Sequence, residues 1–160
     1  MHVYLVQFES GPAHALSLLR PEEVQQHGLP PATIMGVLKQ APTTQNPITP
    51  EEFEPNREFL LLMHQVIAES APQLTVFQQR SKGRDEGFLY VVDLRTAKPR
   101  EFVPPEDLIG ALRIENGEIV EYSPNANHQL LTERGWFRLF PELKEALHRR
   151  LREVQTAPQS

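Results

Sequence analysis

Proline constrains this chain more than any other residue type. There are 15 in 160 residues, and each fixes φ and removes a main-chain donor, so helices and central strands must fall between them. "HVYLVQF" (2–8) is short, β-branched and aromatic and reads as a strand ended by Gly11-Pro12. A small helix is expected over 13–19, and another from Pro21, which suits a first helical position. "PPATIMGVLKQ" (30–40) reads as a helix or an extended segment, with Gly36 weighing against the helix. "QAPTTQNPITP" (40–50) has little to bury and reads as a linker. Thr49, Pro50 and Glu52 then form a capping-box start.

The clearest helix is "NREFLLLMHQVIAESAP" (56–72), where Phe59, Leu62, Met63, Val66 and Ile67 recur at helical spacing and Pro72 stops the run. "LTVFQQ" (74–79) and "FLYVVDLRT" (88–96) read as strands joined by the charged tip "RSKGRDEG". The second is apolar on both sides through Val92, which predicts a central strand. A helical turn is expected at "PPEDLI". In "ALRIENGEIVEY", Asn116-Gly117 supplies the two positive-φ positions of a type I′ hairpin, placing Ile114 opposite Ile119 and Glu115 opposite Glu118. The last helix, "FPELKEALHRRLREV" (140–154), carries one apolar stripe of Leu143, Ala146, Leu147, Leu151 and Val154.

No internal repeat is visible at this level. The expected fold is α+β: an antiparallel sheet of four to five strands flanked by two main helices. Residues 51–154 would form the core domain, 1–50 an N-terminal proline-punctuated arm draped over it, and 155–160 a disordered tail.

A net charge of −5 repels phosphate at long range, which disfavours nucleic acid and anionic membranes as partners. The absence of cysteine removes thiolate nucleophiles, disulfides and cysteine-ligated metals. No apolar run approaches the roughly 20 residues of a membrane span, and the first residues lack a secretory signal pattern, so a cytoplasmic protein is expected. The glycine-rich phosphate loops and the GxSxG and HExxH patterns are absent as well.

Reactive side chains concentrate in "PNANHQLLTERGW" (124–136). One reading makes His128 a general base or metal ligand, Asn125 or Asn127 an orienting amide, and Glu133 an acid partner. The other has Asn127 capping a short helix over 128–134 that Gly135 ends, with Trp136 and Phe137 buried beside the sheet. Asp93 and Arg95 share a face at the end of their strand, either as a catalytic carboxylate and its partner or as an ion pair closing the core edge. His64 lies on or beside the apolar face of its helix and is the candidate to meet His128 in space. Asp93, His128 and Asn127 are therefore the catalytic candidates, and His128, His64 and Asp93 would serve a small hydrolase or metal-assisted enzyme. No ligand-spacing motif supports a metal, and no cofactor is expected. Late basic residues (Arg134, Arg138, Lys144, Arg149, Arg150, Arg152) are interleaved with Glu142, Glu145 and Glu153, as on a solvated helix face.

The polar residues thus read mainly as caps, tips and charged faces. The expected role is a protein-binding or accessory-subunit module that pairs with another protein or with itself as a homodimer. Val3, Leu5, Ile34, Val37 and Trp136 are its expected partner-facing residues.

Overall fold

The computed structural model describes residues 1–43, 45 and 47–158. Thr44 and Asn46 of the expected linker, and residues 159 and 160 of the expected tail, lie outside the described residues. Four α-helices and nine strands are present among those described. Contacts divide the chain into two units, one formed by Met1–Met63 with Leu147 onward, the other by His64–Ala146.

The first unit is built on a four-stranded antiparallel sheet in sequence order, β1 (His2–Phe8), β2 (Gly11–Ser17), β3 (Gly36–Leu38) and β4 (Phe53–Pro55). A two-residue turn joins β1 to β2, and all seven residues of each pair, from His2 opposite Ser17 to Phe8 opposite Gly11. Helix α1 (Pro21–His27) follows β2, starting on Pro21 and closing on Gly28. Gln155 is buried and donates to the carbonyls of Glu23 and Gly28, while Arg152 pairs with Glu23 at 2.8 Å.

This sheet corrects the expectation of an N-terminal arm. Residues 13–19 are strand rather than helix for the most part, and Ala15, Leu16 and Met35 are 0% exposed. Alternation along β2 is masked because its end is buried on both faces, so the run reads as helical in sequence. Gln155, the first residue of the expected tail, lies instead in the last turn of α4 (Pro141–Thr156).

The second unit has a three-stranded antiparallel sheet of β5 (Glu86–Val92), β6 (Leu108–Glu115) and β7 (Glu118–Pro124), and a small hairpin of β8 (Leu131–Thr132) and β9 (Gly135–Trp136). The expected single sheet of four to five strands is therefore three separate sheets, and β5 is an edge rather than a centre. Leu89 and Val91 are buried on one face, while Phe88 and Tyr90 are 48% and 55% exposed on the other. The β6–β7 turn is as read from sequence: Asn116 and Gly117 have φ of 53° and 78°, and Ile114 pairs with Ile119 and Glu115 with Glu118.

The segment 74–79 is not a strand but the start of helix α3 (Thr75–Lys82), with Phe77 and Ser81, four apart, as its buried side chains. Phe77 meets Phe140 edge-on at 5.9 Å between ring centres. The main helix α2 (Arg57–Ser70) buries Phe59, Met63, Val66 and Ile67, and α4 buries Leu143, Leu147 and Leu151, matching the stripes in the sequence.

The structure also reveals a repeat. "LPPATIMGVL" (29–38) and "VPPEDLIGAL" (103–112) adopt the same conformation. A short 3₁₀ turn, Pro31–Thr33 in one and Pro105–Asp107 in the other, leads into β3 or β6, with preceding prolines at φ −59° and following residues at φ −88° in both. Gly36 opposes Pro55, and Gly110 opposes Pro124. A Cβ on Gly36 would lie 2.3 Å from the Glu54 carbonyl and 2.5 Å from the Phe53 ring; on Gly110 it would lie 2.5 Å from the Tyr122 hydroxyl and 2.7 Å from the Ser123 carbonyl. Glycine is required at both places because a neighbouring strand and its aromatic ring come too close for a side chain.

Each copy ends on an aromatic-x-Pro-Asn phrase, "FEPN" or "YSPN". Asn56 donates to the carbonyls of Pro31 and Ile34, both at 2.8 Å, and Asn125 donates to those of Pro105 and Leu108 at 2.8 and 2.7 Å. The copies diverge afterwards. In the first, α2 begins directly after Asn56; in the second, the inserted segment 126–140 intervenes before α4.

Candidate functional site

The second copy carries its buried charge against the inserted segment. Asp93, just past β5, is 0% exposed, and so is Asp107 at the end of the second 3₁₀ turn. Asp93 Oδ1 accepts the N–H groups of Arg95 and Arg138, both at 3.0 Å. Its Oδ2 meets His128 Nε2 at 3.0 Å and Arg95 Nη2 at 3.1 Å.

The Arg95 guanidinium lies between the two aspartates, 3.3 Å from Asp107 Oδ1, and donates to the carbonyls of Gln129 (2.6 Å), Gly135 (3.0 Å) and Glu106 (3.2 Å) and to Thr132 Oγ1 (3.3 Å). Asp107 Oδ2 accepts from Thr96 at 2.6 Å and from Arg134. Burial opposes ionisation of Asp107, but the hydrogen bonds from Arg134 and Thr96 and the charge of Arg95 outweigh it and hold its pKa below the usual value.

The first copy shows what the scaffold itself needs at these positions. Thr33 stands where the second copy has Asp107, and Ser17, at the end of β2, lies one step from the place that Asp93 takes past β5, since Gly36 faces Leu16 and Gly110 faces Val91; all four hydroxyl and carboxyl residues are buried. Ser17 Oγ accepts the Leu19 N–H at 3.2 Å and donates to the Thr33 carbonyl at 2.7 Å; at Asp93 the two tasks are split, the carboxylate accepting the Arg95 N–H and the main-chain N–H donating to the Asp107 carbonyl at 2.8 Å. Neutral hydroxyls therefore suffice for the motif. The charges are added beside 126–140, and besides Thr96 and Glu106 their partners are His128, Gln129, Thr132, Arg134, Gly135 and Arg138 of that segment.

The sequence candidates are distributed unevenly around this cluster. Asp93 and His128 are in direct contact. His64 hydrogen-bonds through Nδ1 to the Tyr122 hydroxyl at 2.8 Å, and burial followed by repulsion from His128 pushes its pKa down to about 4. Burial also raises the Tyr122 pKa. Asn127 is exposed, its N–H donating to Asn125 Oδ1, and no helix follows it. The segment is instead a turn and the β8–β9 hairpin, whose bend uses Gly135 at φ 107° and the Thr132 hydroxyl accepting from the Arg134 N–H.

Glu133 is exposed at that bend and Trp136 is half-buried on β9. Asp107 and Arg134 belong to the cluster but escape sequence reading. Their only signal is the alignment of Asp107 with Thr33, which depends on seeing the repeat.

Can this cluster do chemistry? A histidine oriented by an aspartate is an arrangement suited to proton transfer. Yet the His128 and Asp93 side chains are 1% and 0% exposed. A cleft of about 460 Å³ in the first unit is lined by Phe8, Ala13, Ile34, Val37, Glu54 and Glu58 among others, and one of about 360 Å³ in the second by Gln78, Lys82 and Glu118 among others. Neither is lined by Asp93, His128 or His64. Among the described residues no group of three His, Asp or Glu is arranged to hold a metal ion, and no helix is long and apolar enough to cross a membrane.

Of the expected partner-facing residues, Val3 and Leu5 are 41% and 70% exposed on β1, Ile34 is buried, and Val37 and Trp136 are intermediate. Comparison with protein-family models, with curated proteins and with solved structures found no match to this chain.

Proposed function

We propose that this protein is a binding module that takes up a strand of another polypeptide along β1. The observation that carries the reading is the contrast between β1 and the other outer strands of the two larger sheets. Strand edges expose unpaired N–H and C=O groups, and proteins normally blunt them with charge, proline, bulges or short length. β4 is three residues long and holds Glu54 and Pro55. β5 has a register shift at Val91/Val92, and the Arg84 guanidinium covers the Phe88 carbonyl at 3.1 Å. β7 has a register shift, ends on Pro124 and carries Glu118 and Glu121.

Among the described residues, β1 alone has none of these devices. It is seven residues of "HVYLVQF" with no carboxylate, lysine, arginine, proline or register shift. The two-residue turn makes Phe8–Gly11 a hydrogen-bonded pair, so His2, Tyr4, Val6 and Phe8 direct their main chain to β2. Val3, Leu5 and Gln7 then direct theirs outward, and two of these carry the exposed apolar side chains. Main-chain bonds would give affinity and Val3 and Leu5 the apolar contact. Solvent exclusion at Asp93 and His128 weighs against the enzyme alternative.

The test is retention of proteins from the native host on the immobilised full chain, compared with Leu5→Lys and Val3→Lys. Bound protein should be held by the wild type and lost from both variants, with circular dichroism unchanged. Retention of the same proteins by both variants would remove β1 from the function.

A further inference from the structure

Resting on the strand-addition reading, we infer that the strand β1 accepts is β1 of a second copy, antiparallel and centred on Leu5. The outward-directed residues are spaced to serve each other under a two-fold axis at Leu5. Leu5 of one copy faces Leu5 of the other, and Val3 faces Gln7 on both sides. All three positions then form hydrogen-bonded pairs, which is what antiparallel pairing of two outward sets requires.

Side-chain placement favours the same partner. Cross-strand neighbours share a face: Val3 lies opposite Leu16, and Leu5 continues through His14 and Leu38 to Phe53. Leu16, Leu38 and Phe53 are buried. Val3 and Leu5 thus extend the unit's own apolar face past its covered part, and a second β1 would set an identical apolar strip beside it.

The charge pattern excludes repulsion at the junction. The chain carries −5 overall, but no carboxylate, lysine or arginine lies on β1, its one histidine, His2, would face Phe8 of the second copy rather than another His2, and Glu9 stands beyond the strand end in the turn. A foreign strand selected by charge would find nothing on this edge to select it, whereas a neutral, self-matching strip suits its own copy. The product is a continuous eight-stranded sheet with the two β1 strands at its centre, a closed two-fold assembly.

Light scattering across a concentration series tests the state. The wild-type chain should rise from 18.3 kDa toward twice that mass. Leu5→Lys and Leu5→Glu, each alone, should place like charges on the axis and weaken the dimer by about 100-fold or more. An equimolar mixture of the two variants should recover the dimer, because only residue 5 faces residue 5.

Wild-type chain that stays at 18.3 kDa up to about millimolar concentration overturns the inference, as does a dimer that either variant leaves intact or a mixture that does not recover. If the wild type is monomeric while Leu5→Lys still loses a host protein that the wild type retains, strand addition stands and only self-pairing falls. If neither is seen, both fall. Leu5 is exposed, so these substitutions test the edge without removing core packing.

Discussion

Two buried residues offer an internal comparison: Ser17 and Asp93 close the corresponding strands of the two copies. Both accept the N–H two residues ahead. Asp93 also neutralises the Arg95 guanidinium and holds His128 and the Arg138 N–H. Taking the Asp93 charge from the buried Arg95, which keeps only Asp107, costs on the order of 3 kcal/mol, whereas a lost neutral hydrogen bond costs about 1 kcal/mol. Asp93→Asn should therefore destabilise far more than Ser17→Ala in urea unfolding, and hydrogen exchange at the Arg138 amide should accelerate first. Equal losses for the two would mean the cluster does not anchor segment 126–140.

His64 gives a pH prediction whose sign follows from its environment. Its folded pKa is about 4 against an ordinary 6.5. Between these values the unfolded chain binds the extra proton, so stability falls as pH drops from 6.5 to 4, and above 6.5 the group has no effect. With partial solvent contact the loss is on the order of 2 kcal/mol. The lowered pKa of Asp107 acts elsewhere, its stabilisation being lost only as pH falls below the ordinary 3.8. His64→Gln, measured by urea unfolding at pH 7, pH 5 and pH 3, should remove most of the upper limb and leave the lower one in place.

At the scale of elements, the repeat makes matched predictions. Asn56 and Asn125 each satisfy two carbonyls of a 3₁₀ turn with one amide group. Each also accepts an N–H through Oδ1, from Glu58 and from Asn127, so Asn56→Ala and Asn125→Ala should each cost about 3 kcal/mol, three hydrogen bonds at about 1 kcal/mol apiece, and the two losses should agree closely in urea midpoint. Widely different losses would show that the two turns are not mechanically equivalent.

What could be read without coordinates divides along the same line. The Asn116-Gly117 hairpin and the stripes of α2 and α4 depend on neighbours in sequence, and they were legible. The role of Asn56, the space around Gly36 and the link between Asp93 and Asp107 depend on chain far away, and they were not. The repeat hides for the same reason: its shared residues are scattered prolines, glycines and asparagines, separated by unequal spacers and by segment 126–140. Thr75 and Val76 favour strand by propensity, but Phe77 and Ser81 bury a helical spacing, and tertiary packing decided the case. Of the candidate site, the Asp93–His128 contact was foreseeable as a possibility, while its burial was not.

For the whole molecule, the question is whether long-range charge or the β1 edge governs association. The two make opposite predictions for one substitution. The chain has a formal charge of −5 and a pI near 5.7, so general self-repulsion vanishes as pH approaches that value and association should rise there. Leu5→Lys removes one unit of net negative charge and moves the neutral point upward, closer to pH 7. If repulsion between acidic surfaces were the control, this variant would associate more readily than wild type at pH 7. If the unblunted edge is the control, a lysine at its centre introduces the device that natural edges use against pairing, and association should fall even though the net charge is smaller. A surface lysine placed away from any strand edge, such as Gln78→Lys on α3, supplies the same change in charge without touching β1. Light scattering at pH 7 and near pH 5.7 should show Leu5→Lys below wild type and Gln78→Lys at or above it. The reverse order would assign association to charge and leave the β1 edge without a part in it.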